Sequence, residues 1–261
     1  MILAIDMGNT NIVIGCIDNE KIYFEERMAT DHSKTELEYY VLFKTVLDLY
    51  KIENTCITGA ILSSVVPPLV NIIKAAIEKL IGVSPYIVGS GIKTGLNILM
   101  DNPRQLGSDL VVDAVAGVNE YGAPLIIIDI GTATTVSVVD KNRNYIGGCI
   151  MPGVGVSADS LVSKAAQLFK VSLCAPAKYI GKNTIDCMKS GIIFGHAACL
   201  DGMIERMEQE LGYHCTVVAT GGLAGTIIPH CKRAVTVDEE LLLKGLKIIY
   251  DLQNAEKQEK R

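Results

Sequence analysis

Two stretches of this chain carry the same pattern of apolar and polar positions. Residues 125–140, LIIIDIGTATTVSVVD, run apolar up to Asp129, turn at Gly131 with Thr132, Thr134 and Thr135 lining the turn, and leave as an alternating strand. Residues 2–18, ILAIDMGNTNIVIGCID, do likewise, with Asp6 closing the apolar run, Gly8 in the turn, and Asn9, Thr10 and Asn11 beside it. Asp6 matches Asp129 and Asp18 matches Asp140, so the copies differ by a single residue in length. Strand, glycine turn and returning strand predict a β-hairpin. Two of them, half a chain apart, predict a duplicated architecture.

The pattern between them supports this. Residues 21–28 predict a third strand. Thr35 and Glu38 form a capping-box signature, and Tyr39, Phe43, Val46 and Tyr50 recur at helical spacing, predicting a helix over 36–50. A buried strand at 57–66 is ended by Pro67 and Pro68, which are tolerated in a helix's first turn, so a helix follows at 68–81 and a short strand at 86–88. Residues 89–107 are glycine-rich and predict a loop, before a helix over 108–121 that sets Asp109 and Asp113 on one face. Gly122 and Pro124 mark the boundary between two domains, 1–121 and 122–261. The second repeats the plan, with strands at 125–129, 134–139 and 144–151, a helix after PGVGVSADSL, and a long helix from Thr184 toward Leu211. Glycines 191, 195 and 202 weaken that helix, which predicts close packing against another backbone. A strand at 216–219 runs into Gly221-Gly222, a last helix spans 239–250, and the polar tail is expected to fray. The fold class is α/β, with two similar domains, each a mixed sheet with an opening β-meander flanked by helices.

Composition narrows the function. A hydrophobic content of 49% and mean hydropathy of +0.32 supply ample core for two domains. Yet no apolar run reaches the ~18 residues of a membrane span, and Asp6 interrupts the first apolar stretch where a signal peptide would continue. A cytoplasmic protein without a membrane partner is expected. The net charge of −5 gives no electrostatic footprint for nucleic acid. Eight cysteines without a CxxC pair predict reduced, mostly buried thiols. His196 and Cys199 have the spacing of helical metal ligands but lack a second pair, so a packed helix face is the expectation.

The chemistry lies in the turns. Glycine lets backbone N–H groups approach phosphate oxygens, and small hydroxyl and amide side chains add donors without bulk. An aspartate cannot bind phosphate directly, so Asp6 and Asp129 would hold a cation, orient water or act as bases, with oxygen coordination of a metal the natural task. The Gly221-Gly222 turn would let a flat ring lie against backbone. Together these elements describe a nucleotide site.

The segments DMGNTNIVIG, ILSSVVPPL, KTGL, DNP, DIGTATT, GGCIMPGVGVS, IGKNT, MKSG and ATGGLA share order and spacing with a known family. The chain resembles the actin, sugar-kinase and heat-shock-chaperone superfamily of ribonuclease-H-like, actin-like ATPase folds, and within it type III pantothenate kinases. The resemblance implies a site in an interdomain cleft, with ATP phosphates contacted by Asp6, Met7, Gly8, Asn9, Thr10, Asn11, Ile12, Val13 and Thr132. It implies a monovalent cation, K⁺ or NH4⁺, at Asp129, with Mg²⁺ travelling with the nucleotide. Asp109 falls at the proton acceptor's position, and Met100, Gly107, Ser108, Asp109, Leu110 and Thr184 at the substrate. A homodimer phosphorylating pantothenate in coenzyme A biosynthesis is the implied activity, with a different small alcohol or a non-catalytic regulatory role as alternatives. The chain departs from the family in reading Gly107-Ser108-Asp109-Leu110 where GADR is usual, Met100 where tyrosine is common, and Lys164-Ala165 where arginine or histidine precedes threonine.

Overall fold

A computed structural model describes residues 1–259, which form two compact units. The first comprises Met1–Leu96, Asp101–Ala116 and the described residues from Glu240 on; the second comprises Asn97–Met100 and Gly117–Glu239.

In the first unit the meander β1 (Ile2–Met7), β2 (Asn11–Ile17) and β3 (Ile22–Ala29) leads to α1 (Glu36–Leu49), β4 (Gly59–Ser64), α2 (Pro67–Ile81) and β5 (Tyr86–Ile87). The sheet order is β3-β2-β1-β4-β5, with β1 antiparallel to β2 and parallel to β4. Next come β6 (Asn97–Ile98) and α3 (Ser108–Tyr121). The second meander, β7 (Leu125–Ile130), β8 (Ala133–Val139) and β9 (Asn144–Pro152), precedes α4 (Val154–Lys164), α5 (Thr184–Leu211), β10 (Thr216–Thr220), α6 (Ala224–Ile227), β11 (Thr236–Val237) and α7 (Leu241–Glu259). Its sheet runs β11-β10-β7-β8-β9-β6. Read from β9, this is the order of the first sheet with β6 added outside. The duplication seen in the hairpins therefore extends to the topology, and the one-residue difference has a location. Met7 pairs with Ile12, whereas Ile130 pairs with Thr134, so the extra residue sits in the first glycine turn.

Local chemistry sets the helix ends. The Glu38 carboxylate accepts the Thr35 N–H at 2.8 Å, the reach-back of a capping box. Pro67 opens α2, where its missing N–H costs nothing, and Gly82 closes it in the left-handed region at φ 71. Asn183 caps α5 by accepting the Asp186 N–H at 2.9 Å. One face of the first sheet packs Leu3, Ile5, Ile12 and Ile14 against Tyr39 and Phe43 of α1 and Leu69 and Ile73 of α2. In the second unit Ile126, Ile128, Val136 and Val138 meet Ile192, Ile193 and Leu200 of α5.

Four features differ from the sequence expectation. The last helix begins at Leu241, continues to Glu259 through the part of the tail expected to fray, whose residues 260–261 lie outside the described ones, and belongs to the first unit. The reason is a seat of glycines: Leu243 fills the space above Gly15 in β2, and the Tyr250 ring fills that above Gly59 in β4. Within 89–107, Asn97–Ile98 pairs in parallel with Asn144–Tyr145 of β9, a strand too short to show periodicity. Gly191 and Gly195 of α5 have no atom within 4 Å of where a side chain would start, and Gly202 meets only the flexible Arg206 head. They are not close-packed within the chain; Gly191 and Gly195 line a cavity of about 300 Å³ with Thr134, His196 and Cys199. All eight cysteines are free, but Cys56, Cys174, Cys187 and Cys199 are exposed, the first two on connections and the last two on α5. Among the described residues no helix is long and apolar enough to cross a membrane.

Gly245 of α7 lies so close to α3 that a Cβ would overlap the Val112 carbonyl oxygen. Helix propensity alone favours Gly245→Ala by ~1 kcal/mol, while overpacking against backbone costs about 1–3 kcal/mol. Urea denaturation is expected to show a net loss of stability; a more stable variant would mean that α7 does not sit this tightly.

Candidate active site

The first glycine turn is fastened from β3. Gly8 N–H donates to the Asn11 carbonyl at 2.9 Å, Thr30 N–H to the Thr10 carbonyl at 2.9 Å, and the Thr30 hydroxyl to the Gly8 carbonyl at 2.7 Å. These bonds leave the side chains of Asn9, Thr10 and Asn11 exposed at the tip, with Asp6 buried beneath them at the end of β1. Met7, Ile12 and Val13 are also buried, so any ligand contact they make is through backbone. Thr30 had no signal in the sequence, since its role depends on a pairing about twenty residues away.

The second turn is tighter, with Gly131 N–H donating to the Ala133 carbonyl at 3.0 Å. Thr132 is exposed in it. Thr134 and Thr135 do not line the turn as expected: both lie in β8, with hydroxyls buried and without a hydrogen-bond partner among the described residues. Two glycines from elsewhere press against this turn. A Cβ at Gly153, ahead of α4, would strike the Gly131 and Thr132 carbonyl oxygens, and one at Gly221 would strike the Asp129 carboxylate and Ile130 backbone. Gly221 has φ 91, which glycine adopts without the Cβ penalty. The Gly221-Gly222 turn therefore packs on the chain's own β7, and Asp129 sits in a cradle that a side chain would fill.

Asp18 and Asp140 hold the opposite ends of the hairpins. Asp18 accepts the Glu20 and Lys21 N–H groups at 2.9 and 3.0 Å, and Asp140 accepts those of Asn142 and Asn144 at 2.8 and 2.9 Å. The paired aspartates thus divide into one at the phosphate-type turn and one that braces the far turn.

Asp109 opens α3 with a half-buried side chain. One carboxylate oxygen accepts the Leu110 N–H at 2.8 Å and lies where a Cβ at Gly107 would be, so a larger residue there would push the Asp109 carboxylate aside. Burial raises the Asp109 pKa above the usual carboxylate value, opposed by the backbone N–H groups of Leu110 and of Asp109 itself. Its neighbour Ser108 bonds to the end of β4 through Ser63 and Ser64. Ser63 and Ser64 pair in register with Asp6 and Met7 of β1, so Asp109 and the first turn are tied to the same two strand ends. Leu110 and Met100 are half-buried, Met100 in the second unit, while Thr184 is exposed at the first residue of α5.

A family model described as type III pantothenate kinase matches residues 2–206. The chain belongs to this family. It is 45% identical to a type III pantothenate kinase of Exiguobacterium sp. over 96% of its own length and 98% of the relative's, and 43% identical to one of Bacillus cytotoxicus over 96% of each. Among solved structures, a putative Baf family transcriptional activator of Campylobacter jejuni superposes with a TM-score of 0.58 at 20% identity, covering 97% of this chain and 100% of that one. Component A of the (R)-2-hydroxyglutaryl-CoA dehydratase of Acidaminococcus fermentans gives 0.57 at 15% identity, over 97% and 98%. These distant structures attest the fold alone, an α/β architecture with two mixed sheets.

The raised Asp109 pKa carries a sign for stability. The folded state binds this proton more tightly than the unfolded chain, so the ionised carboxylate opposes folding at neutral pH, and the penalty fades as pH falls through the folded pKa. Asp109→Asn is therefore expected to raise the melting temperature at pH 8, with the gain shrinking on acidification. A variant less stable than the parent at pH 8 would contradict the desolvation seen here.

Proposed function

We propose that the chain phosphorylates pantothenate to 4′-phosphopantothenate at the expense of ATP, the first step of coenzyme A biosynthesis, with Asp109 as the base. The observation that carries this role is the desolvated Asp109 carboxylate at the start of α3, fastened to the strand end beside the first glycine turn. A general base is most effective when its pKa approaches the working pH, and burial moves Asp109 in that direction. The carboxylate takes the proton of the attacking primary alcohol as its oxygen bonds to the γ-phosphorus and ADP leaves.

The remaining roles follow the family's pattern. The turn from Asp6 to Val13, and Thr132 of the second turn, would bind the ATP phosphates. Gly107, Ser108, Leu110, Met100 and Thr184 would border pantothenate. Asp129, in the cradle formed with Gly131 and Gly221, suits a monovalent cation such as K⁺ or NH4⁺, and Mg²⁺ would accompany ATP. These ions would spread the charge that develops on the phosphoryl oxygens. Leu110 replaces an arginine able to pair with a carboxylate, a bond worth roughly 1.5–3 kcal/mol, so another donor must meet the carboxylate of pantothenate. Lys164, exposed at the end of α4, is the candidate. The protein would work in the cytoplasm as a homodimer. The second unit favours association, exposing 75% of Ile150, 72% of Tyr179 and 82% of Ile180.

A coupled ADP-release assay with pantothenate and a panel of hydroxy acids, polyols and nucleosides tests the activity. ADP formation with pantothenate, stimulated by K⁺, is expected; turnover only with a different alcohol would identify another acceptor, and none with any would leave a nucleotide binder. Asp109→Asn is expected to lower kcat by ~10²- to 10⁴-fold, and full activity would remove Asp109 from the mechanism. Asp129→Asn should weaken the stimulation by K⁺, and an unchanged dependence would place the cation elsewhere. Light scattering should give twice the chain mass.

A further inference from the structure

Ser108 stands where the family's GADR motif has alanine, and its hydroxyl is fully used. It accepts the Ser64 N–H at 3.1 Å, accepts the Ser63 hydroxyl at 3.0 Å and donates to the Ser64 carbonyl at 3.0 Å. A serine hydroxyl has one hydrogen and two lone pairs, so this bonding satisfies its whole capacity. The strand end it bonds needs a partner. β5 pairs with β4 only at Ile61 and Leu62, and its last ladder bond is from Val88 N–H to the Leu62 carbonyl at 2.8 Å. Two residues further along the same edge, Ser64 presents the next N–H and carbonyl, and no strand among the described residues reaches them. The Ser108 hydroxyl takes the place of that missing strand, which an alanine side chain cannot do.

We propose that Ser108 is a positioning residue that fixes the catalytic geometry of Asp109 by clamping the first turn of α3 to the open end of β4. The clamp rests on the assignment of Asp109 as base. Its geometry is suited to the task, because the strand end it grips is in register with the end of β1: Ser63 lies opposite Asp6 and Ser64 opposite Met7. A link of one residue then joins the carboxylate to β4 and, through its pairing, to β1, the strand that leads into the first glycine turn. The Ser64 side chain adds to the rigidity by accepting the Val66 N–H at 3.0 Å as the chain turns into α2. Ser108 therefore acts through Asp109, and its hydroxyl has no remaining hydrogen-bond position for pantothenate.

Steady-state kinetics of Ser108→Ala, Ser108→Thr and Asp109→Asn test this. Displacing a reacting group by a fraction of an ångström to about 1 Å costs up to about 100-fold in rate, so Ser108→Ala is expected to lower kcat by roughly 10- to 100-fold. The KM for ATP should stay within about twofold, since the phosphate turn keeps its own bonds to Thr30. Ser108→Thr keeps the hydroxyl and should retain most of the parent kcat. A Ser108→Ala enzyme with parental kcat, or a loss that Ser108→Thr does not repair, would overturn the proposal while leaving the base role of Asp109 standing. Full activity of Asp109→Asn would instead remove the assignment on which the clamp rests. If Ser108→Ala does not fold, Ser63→Ala removes one of the three bonds. A smaller fall in kcat at constant KM for ATP is then expected, and an unchanged kcat refutes the clamp.

Discussion

Each unit depends on one buried strand that is paired on both sides and ends in an aspartate before a glycine turn. β1 lies between antiparallel β2 and parallel β4, and β7 between antiparallel β8 and parallel β10. Double pairing satisfies the backbone of these strands without water, which allows nearly every residue of β1 and β7 to be apolar and buried. The aspartate appears where this apolar run must end. Its placement is thus a consequence of sheet geometry: a polar group becomes tolerable only at the rim, where a ligand also has access. The parallel neighbours end at the same level and bring further small residues to that rim, Ser63 and Ser64 in one unit and Thr220 with Gly221 in the other.

The hairpins, α1, α2 and α3 were legible in the sequence because their signals are local. An apolar run, an Asp-x-Gly turn, a capping box and a proline pair each act within a few residues. The duplicated sheet order could be inferred from them because a meander followed by helix and strand leaves few ways to pair. What escaped depends on distance along the chain. The Thr30 bond to the first turn spans 22 positions and the Ser108 bond to Ser64 spans 44, and neither residue type is unusual where it occurs. The assignment of α7 to the first unit was illegible for the same reason, since the glycines that receive it, Gly15 and Gly59, read as ordinary strand glycines until Leu243 and Tyr250 are seen above them. The exposed glycines of α5 misled in the opposite way, because a weak helix position suggests close packing but does not say against what.

The two hairpins share one pattern and differ in what surrounds them. The first is braced by a threonine from its own meander and contains one more residue, giving a tip of three exposed polar side chains. The second is shorter and pressed by backbone at Gly153 and Gly221, which crowd its carboxylate rather than extend its tip. A wide tip suits the several oxygens of a polyphosphate, whereas a crowded carboxylate suits a single small ion. The same kind of turn can acquire either character through the neighbours it is given.

The placement of α7 also bears on how the protein is made. The first unit is built from both ends of the chain, with the whole second unit inserted between them. During synthesis the first meander emerges early, yet the face carrying Gly15 and Gly59 must wait, from Gly59 to Leu241, for 182 residues before the helix that covers it begins. The second unit, contiguous apart from a four-residue strip at 97–100, has no such delay. The order of completion therefore reverses the order of translation, and the half that begins first is the half that closes last.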